Sequence, residues 1–448
     1  MEDTMIATKY TEAFSNEWID YNIRDKSHYL FILCSIIPWN EIIQKLQHFF
    51  NQTQGRFCKS LRTMSALLIV SKLEDQLSDR KLVRKVKENR YIQFFCNVSD
   101  EKLGTFLDKN GTTICKFRKR IGEKGTSIIE NLVFKKLRQA GVIENDTALI
   151  DSTVLNNNII YPNDVLLLNK AFHKMFLFAK NHNIKVWWDN KNVKKIWREF
   201  NTSKQKNRKN FLIEFEKIFT PALMIFGQMI YLDNKLDFVE KEEGRPLLEL
   251  LQLLEKQTKQ KIAGETHIEE RIVSLDEIDA RPIKKGKAHP KCEFGTTLEL
   301  SFNRAGFMIT AENLKGNPND KILYSKTLDL YIERLRGYPE AVVTDLGYRS
   351  KNNLNKDSDK IHNIFLGKSS DVYNENLEYC KKSRSATEGF IAVAKNLYGF
   401  GKSLYRGIIG DIIWTKLCQI GYNLKKFIRL YQQEKISEYS LKKLDLLG

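Results

Sequence analysis

The chain has 448 residues, 42% of them hydrophobic and 11% aromatic, which suits two or three folded domains and excludes a disordered chain. A net charge of +18 and a pI near 9.3 favour a polyanionic partner, nucleic acid first, with a merely solvated lysine-rich surface as the alternative. No apolar run approaches the roughly 18 residues of a membrane span, the opening MEDTMIATKY has no apolar signal core, and the seven scattered cysteines form no C-x-x-C pair, so the expected setting is a reducing cytoplasm without a zinc site or disulfide framework.

Residues 1–140 read as helical. NEIIQKLQHFF (40–50), LRTMSALLIVSKLEDQL (61–77), DRKLVRKVKEN (79–89) and GTSIIENLVFKKLRQAG (125–141) all carry apolar residues at helical spacing. Between the last two lies TTICKFRKRIGEKG (112–125), where Ile114, Phe117 and Ile121 form an apolar stripe and Lys116, Arg118, Lys119 and Arg120 lie mostly off it. Lys119 and Arg120 are candidate DNA contacts; a solvated basic face has the same pattern.

TALIDSTVL (147–155) changes the pattern to β-branched and apolar, and predicts a strand. Residues 163–262 return to helix. Within them KNVKKIWREFNTSKQKNRKN (191–210) is strongly basic, with Trp187, Trp188 and Trp197 beside it, as a phosphate-gripping and base-stacking surface or as buried tryptophans beside a solvated loop. CEFGTTLELSF (292–302) and GFMITAENL (306–314) flank the turn NRAG and predict a hairpin. A helix over SKTLDLYIERLRG, a short strand EAVVTD (340–345), a helix starting in LGYRSKNNL, a strand HNIFLG (362–367) and two closing helices complete the chain. HPKC (289–292) has the residue types of half a metal site, but no second half lies nearby, so no metal is expected there.

Asp345 sits at the carboxyl end of an apolar strand, the position where sites form in open α/β sheets. Asp151 lies mid-strand in ALIDSTV, where an acid is costly to bury unless it is paired or binds a metal. Glu388 is the one acid among six bases in KKSRSATEGFIAVAKNLYGFGKSLYR (381–406). On a helix it falls about 40° from Arg384 and about 20° from Lys395, opposite an apolar face of Phe390, Val393 and Leu397. An i,i+4 Arg384–Glu388 pair is the modest explanation. Three converging carboxylates would instead need a hard cation, which suits Mg²⁺ or Mn²⁺. The order of the acids carries little by itself, since the chain has 55 of them.

The contexts LIDSTVLNNNIIYPND (149–164), SLDEIDARPIKKGKAHPKCEFG (274–295), VVTDLGYRSKNN (342–353), Arg384-x₃-Glu388-x₆-Lys395 and LSDRKLVRKVKENRYIQFFCN (77–97) together resemble bacterial insertion-sequence transposases of the DDE class. The resemblance covers most of residues 38–430. It implies an α/β fold with an RNase H-like, retroviral-integrase-type catalytic core in 141–162 and 266–433, a helical insertion at 163–265, an all-helical DNA-binding or dimerisation domain at 1–140, and a tail at 434–448. It implies a catalytic, metal-binding triad of Asp151, Asp345 and Glu388 holding two Mg²⁺ or Mn²⁺ ions. Arg384 and Lys395 would contact phosphates at the transposon end, Lys287 is a weaker candidate, and Lys402 and Arg406 extend the basic surface. The partners implied are double-stranded DNA, as transposon ends and target, and a second copy of the chain on that DNA, with no membrane and no small-molecule substrate; the setting is the bacterial nucleoid. Where related elements often carry a tyrosine with two residues between it and the arginine, this chain has Lys381, and the nearest tyrosine is Tyr379. Two alternatives remain open: a non-catalytic DNA-binding protein derived from a transposase, and an RNase H-fold nuclease without strand transfer.

Overall fold

The computed structural model describes residues 13–50, 59–74, 77–99, 108, 110–185, 190–203, 208–232, 236–284, 292–371 and 374–446. These divide into two compact units, one formed by residues up to 156 together with those from 297 onward, the other by residues 157–296. The first unit is mixed α/β with a helical amino-terminal region; the second is mostly helical.

The amino-terminal region of the first unit holds α1 (Asn16–Asn22), α2 (Tyr29–Ile36), α3 (Trp39–Leu46), α4 (Leu61–Leu73), α5 (Asp79–Glu88), α6 (Arg90–Cys96) and the long α7 (Thr112–Gln139). Side chains of Ser60, Ser78 and Asn89 accept backbone N–H bonds at the starts of α4, α5 and α6, as good N-caps do. Every residue of α4 is buried, so it is a central helix without a polar face. α7 spans the two segments that the sequence reading divides at Gly125; the backbone leaves helical geometry at Gly122 instead (φ 58°, ψ −156°).

Among the described residues six strands are assigned: β1 (Thr147–Asn156), β2 (Arg281–Ile283), β3 (Glu293–Phe302), β4 (Met308–Leu314), β5 (Ala341–Thr344) and β6 (Asn363–Leu366). The order is β2-β3-β1-β5-β6, and β4 pairs antiparallel with β3 from Thr297 onward as the expected hairpin. β1 runs parallel to β5, and β5 to β6. The three-residue β2, paired with the first residues of β3, has no sequence signal of its own. α12 (Asp320–Leu335) covers one face of the sheet. Its Tyr324 and Leu328 share a core with Ala148, Ile150 and Val342. α14 (Asn374–Leu397) and α15 (Gly407–Gln432) cover the other, where Cys380, Ile391, Ala394, Trp414 and Cys418 meet Leu149, Leu155, Val343 and Phe365. Alternate residues of one strand thus go to opposite cores, as the pleat requires. LGYRSKNNL forms a 3₁₀ turn at 346–348 and then only a short helix, α13 (Lys351–Asn355), rather than one continuous helix. α16 (Glu438–Lys443) closes the chain.

The second unit contains α8 (Asp164–Asn181), α9 (Asn190–Thr202), α10 (Arg208–Leu232) and α11 (Phe238–Ala263) around their own core of Phe172, Phe215, Phe219, Phe226 and Leu251. The insertion expected at 163–265 lies inside this unit. Among the described residues no helix is long and apolar enough to cross a membrane.

Candidate active site

Asp151 and Asp345 are brought together by strand register. Thr147, Ala148 and Leu149 of β1 pair with Ala341, Val342 and Val343 of β5. Continued in step, that register sets Asp151 opposite Asp345, the residue just past the end of β5, at the inter-strand spacing of about 4.8 Å. Both are half-buried. Both share strand parity with Leu149 and Val343, whose side chains enter the core beneath α14 and α15. Asp345 caps the following turn, its Oδ1 accepting from the Gly347 N–H at 2.8 Å, and it has no ion-pair partner among the described residues. Asp151 Oδ1 accepts from the Ser152 N–H at 2.7 Å.

Glu388 comes from α14. Two contacts tie this helix along β1 in the same direction. The Tyr379 and Thr147 hydroxyls bond at the start of the strand, and Lys395 Nζ reaches Thr153 Oγ1 at 3.3 Å further on. Glu388 lies about 13 Å beyond Tyr379 along the helix, and Asp151 about 13 Å beyond Thr147 along the strand, so the two come level. Glu388 is exposed, and the Arg384–Glu388 pair that the sequence allows is not formed: neither side chain has an ion-pair partner among the described residues. Nor do three or more His, Cys, Asp or Glu side chains gather closely enough among the described residues to hold a metal ion.

Asp320, a residue the sequence reading missed, stands beside the aspartate pair. It opens α12 and accepts from Ser152 Oγ at 2.8 Å. A Cβ on Gly347 would meet Asp345 Oδ1 at 3.0 Å and Asp320 Oδ2 at 3.2 Å, so the two carboxylates flank one glycine. In sequence, an aspartate in the first turn of a helix, after the capping Asn319, looks like ordinary dipole compensation.

A buried network steadies this corner. Glu299 in the middle of β3 is 2% exposed and accepts from the Tyr348 hydroxyl at 3.0 Å on each oxygen. Burial, then the charges of Glu299, Asp151 and Asp320, push the Tyr348 phenol well above its ordinary pKa, so it stays a donor. Asn353 Nδ2 bonds the Tyr348 carbonyl at 2.7 Å, which fixes the turn that carries Asp345. A glutamate between Leu298 and Leu300 of a fully buried strand segment was the signal that could have revealed the network.

The basic candidates divide. Arg384, Lys402 and Arg406 are exposed, and Lys395 is half-buried. Lys402 forms a backbone bridge with Asn156 at the carboxyl end of β1. Lys119 and Arg120 are exposed on α7, but Arg118, between them and Phe117, turns inward. Lys287, Trp187 and Trp188 lie outside the described residues. Trp197 stacks on Phe200 with centroids 5.8 Å apart and packs on the core of the second unit rather than standing free for bases. Tyr379 bonds Thr147 and lies under Arg304, a structural anchor at the far end of β1 from Lys402.

The fold and these acids define a class of mixed α/β protein with one aspartate inside a strand, a second just past the end of the parallel neighbouring strand, and exposed bases on an adjoining helix. Residues 18–120 match the family described as Transposase domain (DUF772). An "Uncharacterized protein ORF8 in nfe locus" from Rhizobium meliloti is 29% identical over 157 residues, 34% of this chain and 74% of that protein. No solved structure matches the chain. The similarity to a transposase domain thus covers residues 18–120 of the amino-terminal region.

Proposed function

We propose that the protein is a DDE transposase with an RNase H-like core, cutting DNA at transposon ends and joining the freed 3′-OH to target DNA. The observation that carries this reading is the parallel register of β1 and β5, which sets Asp151 beside Asp345, with Glu388 level with Asp151 on the helix that runs along β1. The carboxylate oxygens fit a hard cation by donor type, and neither Asp345 nor Glu388 is spent on a basic partner among the described residues. Mg²⁺ or Mn²⁺, two ions in the fullest form, held by Asp151, Asp345 and Glu388, would supply polarisation of the attacking oxygen and neutralisation of the leaving one.

The protein's own residues do the positioning. The Glu299–Tyr348–Asn353 network holds the Asp345 turn. Arg384, Lys395, Lys402 and Arg406 grip phosphates and keep the scissile bond in line. Lys287 belongs to the same basic set by resemblance. Two ends are cut and joined in one event, so the working species is at least a dimer on DNA. The exposed Glu388 closes onto the aspartate pair when DNA and metal are bound.

One observation favours the non-catalytic alternative: the acids are not gathered into a ligand shell among the described residues. The test is cleavage of DNA carrying the element's own ends, with Mg²⁺. Asp151→Ala, Asp345→Ala and Glu388→Ala should each lower nicking by at least about 10³-fold while DNA binding persists. Wild-type-like cleavage by the triple variant sinks the DDE assignment. Strand transfer from precut ends separates the transposase from a nuclease, and sedimentation of the end complex reads its stoichiometry.

A further inference from the structure

α5 presents a cationic stripe for which the proposed chemistry has no use. Its apolar side, Leu82, Val83 and Val86, is buried in the core. Two of its charged residues are committed. Asp79 binds Arg118 through both oxygens, each at 2.9 Å, and Lys85 is paired with Glu74. Five remain: Lys81 and Glu88, both exposed, and Arg80, Arg84 and Lys87, which at i, i+4 and i+7 lie within about 60° of one another and span about 10 Å of helix; among the described residues Glu88 forms no ion pair with them. All three are exposed, and among the described residues none is paired with a carboxylate.

They line a groove of about 460 Å³ whose floor is Val83 and whose far wall is Asn110. Asn110 Oδ1 accepts from Arg80 Nη2 at 3.1 Å, which fixes the guanidinium and leaves the amide N–H₂ as a further donor. The adjacent start of α7 does not compete for an anion, because the Asp108 carboxylate already accepts from the Thr112 and Thr113 N–H groups at 2.9 Å each.

We propose that the groove lined by Arg80, Arg84, Lys87 and Asn110 seats the phosphodiester backbone of duplex DNA, as the principal sequence-independent contact of the amino-terminal region. Cations spaced over about 10 Å match successive phosphates of one strand, which rise about 3.4 Å each along the duplex axis. A row of bases without carboxylate partners is costly for a protein of net charge +18 unless a polyanion covers it. The apolar floor excludes water beneath the row, which strengthens each charge-assisted bond. The seat carries no base readout of its own; it sets where the duplex lies. The inference rests on the DNA-processing reading above, but not on its triad.

The test uses the full chain and a labelled mixed-sequence duplex of about 30 base pairs, with affinity measured by anisotropy over a range of salt. Arg80→Gln, Arg84→Gln and Lys87→Gln are combined, and a charge-matched control combines Lys241→Gln, Lys256→Gln and Lys261→Gln in α11. The groove variant should bind less tightly to every sequence, and its slope of log affinity against log salt should shrink by about 2–3, at about 0.9 per phosphate contact. The control should keep the wild-type slope, and Arg84→Lys should retain most of the affinity. Equal slopes for wild type and groove variant, equal losses in groove variant and control, or a wild-type chain that does not bind the duplex at low salt would each overturn the proposal. Asp151→Ala separates the two claims: cleavage that survives it sinks the catalytic reading and leaves the seat standing, whereas an unchanged groove variant does the reverse.

Discussion

In the run Lys116–Arg120, four bases share one helix, and Arg118 alone turns inward. It is 8% exposed, binds Asp79 through two hydrogen bonds of 2.9 Å, and lies 4.1 Å from the Tyr405 ring. A paired, buried guanidinium is structural, while Lys119 and Arg120 stay available to phosphate. Arg118→Ala strands the Asp79 carboxylate and should lower stability by about 3–5 kcal/mol in denaturant melts. Lys119→Ala should change stability by less than about 0.5 kcal/mol and act on DNA affinity instead. Equal melting midpoints for the two variants would contradict this division. Sequence spacing showed that the bases lie off the apolar stripe but could not show which of them meets an acid 39 residues away. Asp320 escaped for the same reason, since its neighbours Ser152 and Asp345 are distant in the chain.

The elements were mostly legible. Helical periodicity announced α4, α5 and α15, and β-branched runs announced β1, the β3–β4 hairpin, β5 and β6, because these signals are local. β2 was not legible, since three residues in a strand are fixed only by their partner. The break in α7 shows where local pattern falls short. Gly122 adopts φ 58°, ψ −156°, a region open essentially to glycine alone, and an added Cβ there would meet nothing within 4 Å. The conformation is therefore a backbone requirement and not a packing one. The basic segment reaches α5 through Arg118 and Asp79, and α7 as a whole packs on α15. Gly122→Ala should cost about 1–3 kcal/mol in thermal or denaturant melts. A neutral or stabilising result would mean that the helix straightens without penalty, and that the kink is not needed for the fold.

At the scale of the whole first unit, Lys72 in α4 marks the join between the amino-terminal helices and the sheet-covering α15. It is 3% exposed and sits against the Trp414 ring and the Cys418 thiol. Burial, opposed by Cys418 and reinforced by Arg118, lowers its pKa from 10.5 to about 8. The folded state therefore binds fewer protons at this group than the unfolded state between pH 8 and 10.5, and stability from this group rises with pH across that window. Its full benefit is present above 10.5 and lost as pH falls through about 8, a difference of roughly 3 kcal/mol. Lys72→Met should be at least as stable as wild type at pH 7, and its advantage should shrink steadily from pH 8 to 10.5. Parallel stability curves for the two proteins would show that the buried charge is not what sets the slope.

The amino-acid sequence alone determined the composition-driven polyanion preference, the helical start, the strands bearing Asp151 and Asp345, and the helix bearing Glu388. Those properties follow from charge, period and β-propensity within a dozen residues, so no distant partner is needed to read them. Only the tertiary structure decided that β1 and β5 share a register that, continued, brings the two aspartates level, that Asp320 and the Glu299–Tyr348 network stand beside them, that Arg118 and Lys72 are buried, and that α5 carries a cationic row with no carboxylate partner among the described residues. Each of these depends on which side chains meet across long separations in the chain. Register and burial are set by the packed core as a whole, and no local pattern encodes them.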